Sequence, residues 1–284
     1  MDPLRACKPL SLLSALWLAT TPVLGQEYPV LDQEQLAWIG DQIYNNECNR
    51  KADCLTAWNT GEEFPSLGIG HFIWYPAGQD GIYEETFPAL LAFLRQSGAS
   101  LPGWLGDTRS GAPWRTRDEF LADLDSARMV QLRTFLLAHQ QEQTAFIIQR
   151  FDHAVDILTA AASGLGEPDR KRLRENFYRV ANATVPHGMY ALIDYVNFKG
   201  TGTAAAETYA GQGWGLRQVL LGMSGDQPPL ADFIESARQT LSTRVTNAPA
   251  ERNEQRWLSG WNKRLDTYIP AIIPAMPAGQ AAGQ

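Results

Sequence analysis

The chain has few cysteines, few histidines and a shortage of positive charge, and it contains no apolar run of membrane-spanning length. Three cysteines are too few for a disulfide-framed miniprotein or a cysteine-built zinc cluster. The four histidines, His71, His139, His153 and His187, are scattered and never fall into an HExxH spacing, so no metal is expected. Lys and Arg number 24 against 31 Asp and Glu, a net charge of -7, which argues against nucleic acid as the main partner. There is no G-x-S-x-G nucleophile elbow. Gly200-Thr201-Gly202 lacks the third glycine of a dinucleotide loop and follows a predicted helix instead of a strand, so no cofactor is expected.

What remains is an ordinary globular composition, 44% hydrophobic and 19% charged over 284 residues. Residues 1–25 read as a secretory signal peptide. Arg5 and Lys8 precede the apolar stretch Leu10 to Ala19, and Val23-Leu24-Gly25 offers a cleavage site. That stretch falls short of the roughly 18 residues a spanning helix needs. The expected product is a secreted or periplasmic monomer without a membrane span. In an oxidising compartment Cys48 and Cys54, six positions apart, are expected to form a disulfide. Residues 26–270 read as one domain. The tail 271–284, built of Ala, Pro, Gly and a few other uncharged residues, reads as disordered.

Helical periodicity dominates. Asp32-Gln33-Glu34-Gln35 resembles a capping box, and Leu36, Ile39 and Ile43 follow at helical spacing, predicting a helix that ends at Glu47. Residues 48–76 lack that period and read as short strands and turns. A helix is predicted near 86–96. From Thr116 the pattern predicts helices over 116–138, 140–161, 168–181, 186–198, 214–222, 230–245 and 249–269. Trp214, Trp257 and Trp261 are expected in the core.

The chemistry concentrates in ECNRKADCLTAWNTGEEFPSLGIGHFIWY, residues 47 to 75. Glycosidic cleavage commonly uses two carboxylates, one protonated and one ionised, across a cleft. Glu47 stands at a helix C-terminus, where negative charge is disfavoured, and so invites a special role. Glu62 and Glu63 follow it. Trp58, Phe64, Trp74 and Tyr75 are candidate platforms for sugar faces.

The order of these residues resembles the lysozyme superfamily, especially phage-type lysozymes. There a general-acid Glu ends the first helix, and a Thr-x-Gly-x-Gly-His segment follows in a small sheet. Here Glu47, Ser66, Gly68, Gly70 and His71 occupy those places. Ala191 to Gly200 resembles the helix that brings an Asn, here Asn197, beside the cleft. The resemblance implies a mainly helical α+β fold and an exported glycoside hydrolase acting on a polysaccharide, peptidoglycan foremost. Glu47 is then the acid, Ser66 and Asn197 bind substrate, and His71, Gly68 and Gly70 are structural. The family's second carboxylate position falls on Thr60, so strand alternation back from Ser66 is used instead, and it selects Glu62 over Glu63 as the base. An inverting mechanism is expected from that arrangement. The alternatives are a lytic transglycosylase using Glu47 alone, a hydrolase of a neutral β-glucan or chitin-like glycan, and a non-catalytic glycan-binding protein.

Overall fold

The computed structural model describes residues 29–270 apart from 82, 107–110, 160–163 and 205–206. The leader and the tail inferred from the sequence lie outside the described residues. The architecture is α+β and mainly helical, with a small sheet beside the helices. Among the described residues no helix is long and apolar enough to cross a membrane.

Helix α1 (Gln33–Cys48) starts where the sequence places it. The Asp32 side chain accepts from the Gln35 amide at 2.8 Å, and the Gln35 side chain accepts from the Asp32 amide at 3.0 Å. Its buried face carries Ile39, Ile43 and Tyr44. The helix ends at Cys48, one residue beyond expectation, because Asn49 takes a left-handed conformation and its amide closes on Asn45. Arg50 is left-handed as well, and the pair turns the chain back on itself. That turn brings Cys54, in a short 3-10 segment (Ala52–Leu55), onto Cys48 as a disulfide.

Three strands of two residues each follow: β1 (Thr56–Ala57), β2 (Ser66–Leu67) and β3 (Phe72–Ile73), antiparallel in that order. Ser66 pairs with Ala57 and Ile73. The turn between β2 and β3 is Gly68-Ile69-Gly70-His71. Gly68 has φ +77°, and a Cβ there would lie 2.4 Å from the Gln143 amide oxygen. That oxygen accepts from the Ile69 amide at 3.0 Å, which fastens the turn to the helix behind it.

The helical part comprises α2 (Phe87–Gln96), α3 (Arg117–Asp123), α4 (Ala127–Ala138), α5 (Gln140–Thr159), α6 (Glu167–Ala181), α7 (His187–Lys199), α8 (Leu216–Gly222), α9 (Pro229–Asn247) and α10 (Gln255–Asp266). Helix α7 is buried on nearly every side from Gly188 to Tyr195 and packs against α5, α6 and α8, while α9 packs on α8 and α10. One continuous apolar core joins the sheet to these helices.

Three expectations need correction. The helix expected over 116–138 is broken in two. Ser126 caps α4 through the Met129 amide, and Asp123 is engaged by the Trp114 indole at 2.7 Å and by Arg128 at 2.5 Å. The stretch 249–269 divides into a 3-10 turn (Ala250–Arg252) and α10. A hairpin of β4 (Thr208–Tyr209) and β5 (Gln212–Gly213) stands where no strand was expected.

Candidate active site

Glu47 lies in the last turn of α1 with its side chain only 13% exposed. Three groups converge on its carboxylate. His71, carried by the β2–β3 turn, places Nδ1 at 3.2 Å from Oε2. Asn197, near the end of α7, donates its amide to Oε1 at 3.1 Å. Arg264 of α10 donates to the same Oε1 at 2.5 Å. The guanidinium is shared: it also makes two 2.8 Å hydrogen bonds to Asp194, whose side chain is fully buried and accepts from the Tyr268 hydroxyl at 2.7 Å. The amide of Asn46 reaches Asp194 and the Tyr190 hydroxyl, closing the network beneath the carboxylate.

These partners determine the charge state. Burial is the largest influence on Glu47 and pushes its pKa up, but Arg264 and His71 together outweigh it and hold the carboxyl down at about 2. Glu47 is therefore a carboxylate near neutral pH in the unliganded protein. A guanidinium arriving from the far end of the chain carries no local signal in the sequence.

His71 and Asn197 also line a cleft of about 580 Å³. Its other walls come from Ile73 of β3, from Tyr83 and Glu84 after the sheet, from Ile147, Arg150 and His153 of α5, and from Thr201 and Thr203 beyond α7. Tyr83, 55% exposed, lines this cleft together with the buried Phe151. Glu84 stands on the same wall in an ion pair with Arg150 at 2.5 Å.

Gly70 lines the same cleft beside His71, and the other residues singled out in the sequence lie elsewhere. Trp58 is buried against Phe120, and its indole donates to the Glu62 carbonyl at 2.8 Å. Trp74 packs between Phe87 and Trp114. Phe64 and Tyr75 pack on each other, with Phe64 also meeting Tyr83. All four candidate platforms are thus buried and hold the fold together. Ser66 is buried within β2. Glu62 accepts from the Asn59 side chain at 3.2 Å, and no hydrogen bond or ion pair joins it to Glu47, His71 or Asn197. The alternation used to select it does not apply, because only Ser66 and Leu67 of that segment are extended strand and residues 60–65 form turns. Trp257 is also corrected: it sits on the surface under Arg256 instead of in the core.

Sequence reasoning missed Arg264, Asp194 and Lys199. Lys199 ends α7 with its Nζ 3.9 Å from the centre of the Phe198 ring and 3.6 Å from that of Trp261. Arg264 lies over Phe198, and Arg244 over Trp214 and Trp261, so cations and rings alternate from Glu47 across to Glu254. Burial, reinforced by Arg244 and Arg264, pushes the Lys199 pKa down to about 6. Glu254 is fully buried; burial pushes its pKa up, but Arg244, Tyr209 and Arg252 hold it at about 2.

Comparisons with protein-family models, with curated proteins and with solved structures find no match.

Proposed function

We propose that this chain is an exported glycan-cleaving enzyme of lysozyme-like type, with Glu47 as its acid and a β-linked polysaccharide, peptidoglycan foremost, as its substrate. The observation that carries the reading is the placement of Glu47: a nearly buried carboxylate at a helix end, gripped by two residues that also line the cleft. Tyr83 supplies an exposed ring for a sugar face, and Thr201 and Thr203 supply hydroxyls lining the same cleft.

In the resting state Glu47 is a carboxylate and has no proton to give. Burial already favours its protonated form. A glycan that excludes water and draws Arg264 away from Oε1 leaves burial opposed by His71 alone, so Glu47 takes up a proton from solvent as the cleft fills, and Arg264 keeps its two bonds to Asp194. Glu47 then donates its proton to the glycosidic oxygen as the C–O bond breaks. The carboxylate so formed pairs with Arg264 again, which stabilises the charge left after proton transfer.

Glu62 is not among the residues lining the cleft and shares no hydrogen bond or ion pair with Glu47, and Glu84, the carboxylate that does line it, is paired with Arg150, which favours the single-carboxylate route over the inverting pair. In that route Glu47 takes the proton of an attacking hydroxyl of the sugar itself, and the product carries an anhydro end. The test is incubation of the full chain with purified peptidoglycan and with neutral β-glucans and chitin, followed by mass analysis of soluble fragments. Soluble fragments with anhydro ends support the reading. Reducing ends would return a water-activating second carboxylate to the account. No release from any of the glycans would leave a binding protein in which Glu47–Arg264 is a structural ion pair.

A further inference from the structure

The environment of the disulfide contains more than two sulfurs. His71 directs Nε2 at both of them, 3.4 Å from Cys54 Sγ and 3.9 Å from Cys48 Sγ. The ligand atoms of Cys48, Cys54 and His71 all lie within 4.8 Å of one another. Three separate elements bring them together: the end of α1, the 3-10 turn after it, and the β2–β3 turn, where His71 itself is left-handed with φ +48°.

The other ring nitrogen faces Glu47. In the tautomer that donates from Nδ1 to that carboxylate, Nε2 keeps its lone pair, and a disulfide sulfur has no hydrogen to offer it. A carboxylate behind a histidine, with the opposite nitrogen aimed at thiol ligands, is how metal-binding histidines are commonly oriented. The separations agree with this. Zinc–sulfur bonds of roughly 2.3 Å and zinc–nitrogen bonds of roughly 2.0 Å at tetrahedral angles place sulfur and nitrogen about 3.5 Å apart.

We propose that Cys48, Cys54 and His71 form a zinc site in the chain whose cysteines are reduced, with Glu47 as the carboxylate that orients the histidine. The disulfide and the metal exclude each other, because two thiolates on one zinc stand roughly 3.7 Å apart. The reduced state is the one in which the chain is synthesised. From the oxidised state, a dithiol supplies two electrons and two protons, becomes a disulfide itself, and leaves two cysteine thiols. Zinc then binds both sulfurs as thiolates and releases their two protons. Three protein ligands leave one tetrahedral position for water or another small ligand, and the cleft that His71 lines gives an approach. This site does not depend on glycan cleavage.

The experiment titrates Co²⁺ into the full chain, reduced and then freed of reductant under anaerobic conditions, and follows thiolate-to-metal charge-transfer absorption. The expected result is one Co²⁺ per reduced chain, displaced by Zn²⁺, and no such band in the oxidised chain. His71→Asn, a residue that tolerates the left-handed backbone, should weaken binding at least about tenfold. Glu47→Gln should weaken it by about 10–100-fold, as expected when the orienting carboxylate is removed. Absence of the band in the reduced wild type would overturn the proposal. Binding by His71→Asn as tight as wild type would overturn it too, since that describes a bare dithiol.

Discussion

Arg264 and Glu47, 217 positions apart in the chain, meet at 2.5 Å, and the same guanidinium holds the fully buried Asp194 through two further hydrogen bonds. One cation therefore balances two carboxylates beneath the cleft. It joins α10 to α1 and α7 and sets the proton affinity of the group proposed to act on the substrate.

Removing that cation leaves Asp194 and Glu47 buried and short of positive charge. Arg264→Met should cost about 3–5 kcal/mol of unfolding free energy, the range for breaking one side of a buried ion pair. Urea denaturation measures it. A loss of no more than about 1 kcal/mol would mean that the pair behaves like a surface bridge.

The depressed pKa of Glu47 makes its contribution to stability depend on pH. The folded value, about 2, lies below the ordinary 4.5, so the stabilisation is complete above pH 4.5 and is lost as the pH falls towards 2. Wild type should exceed Glu47→Gln by about 3 kcal/mol at pH 7, and the difference should close across that window. Unfolding curves of both proteins over this range provide the check, and a difference independent of pH would contradict the ion-pair account.

Much of this was legible in the sequence, and the remainder was hidden for identifiable reasons. The capping box announced α1, and apolar spacing announced α6 and α7 to within a residue or two at each end. The break after Asp123 was not visible, because the apolar period runs on through Leu124 and only the Ser126 cap and the bonds to Asp123 interrupt it. Strands of two residues cannot display alternation, which is why the face assigned to Glu62 had no basis. Glu47, His71 and Asn197 stood out by type and order, and the fold brings them into contact. Arg264 did not. An arginine in the last turn of an amphipathic helix reads as a solvated charge until the helix is docked, and no local signal marks the carboxylates it will meet. The aromatic cluster was visible but misassigned: rings dense enough to suggest a sugar platform are here dense enough to form a core.

Lys199 provides an opposite pH dependence. Its folded pKa, about 6, lies far below the ordinary 10.5, so the group destabilises the fold at low pH, and the penalty is relieved as the pH rises from 6 to 10.5. Lys199→Met keeps a long side chain between Phe198 and Trp261 while removing the amine. It should stabilise the protein by about 1–4 kcal/mol at pH 6, as seen when buried ions are replaced by apolar residues, and the gain should shrink towards pH 10. Thermal or urea unfolding at the two pH values tests this, and destabilisation at pH 6 would show that the cation–ring contacts outweigh burial.

The most direct test of the account compares turnover and binding of one cleaved glycan by wild type and Glu47→Gln. The substitution retains the shape of the side chain and removes the proton it can transfer. The account predicts a loss of at least about 10² in turnover, the scale of a positioned acid, with glycan affinity nearly unchanged and helical content intact. Turnover close to wild type would contradict it and remove Glu47 from the chemistry.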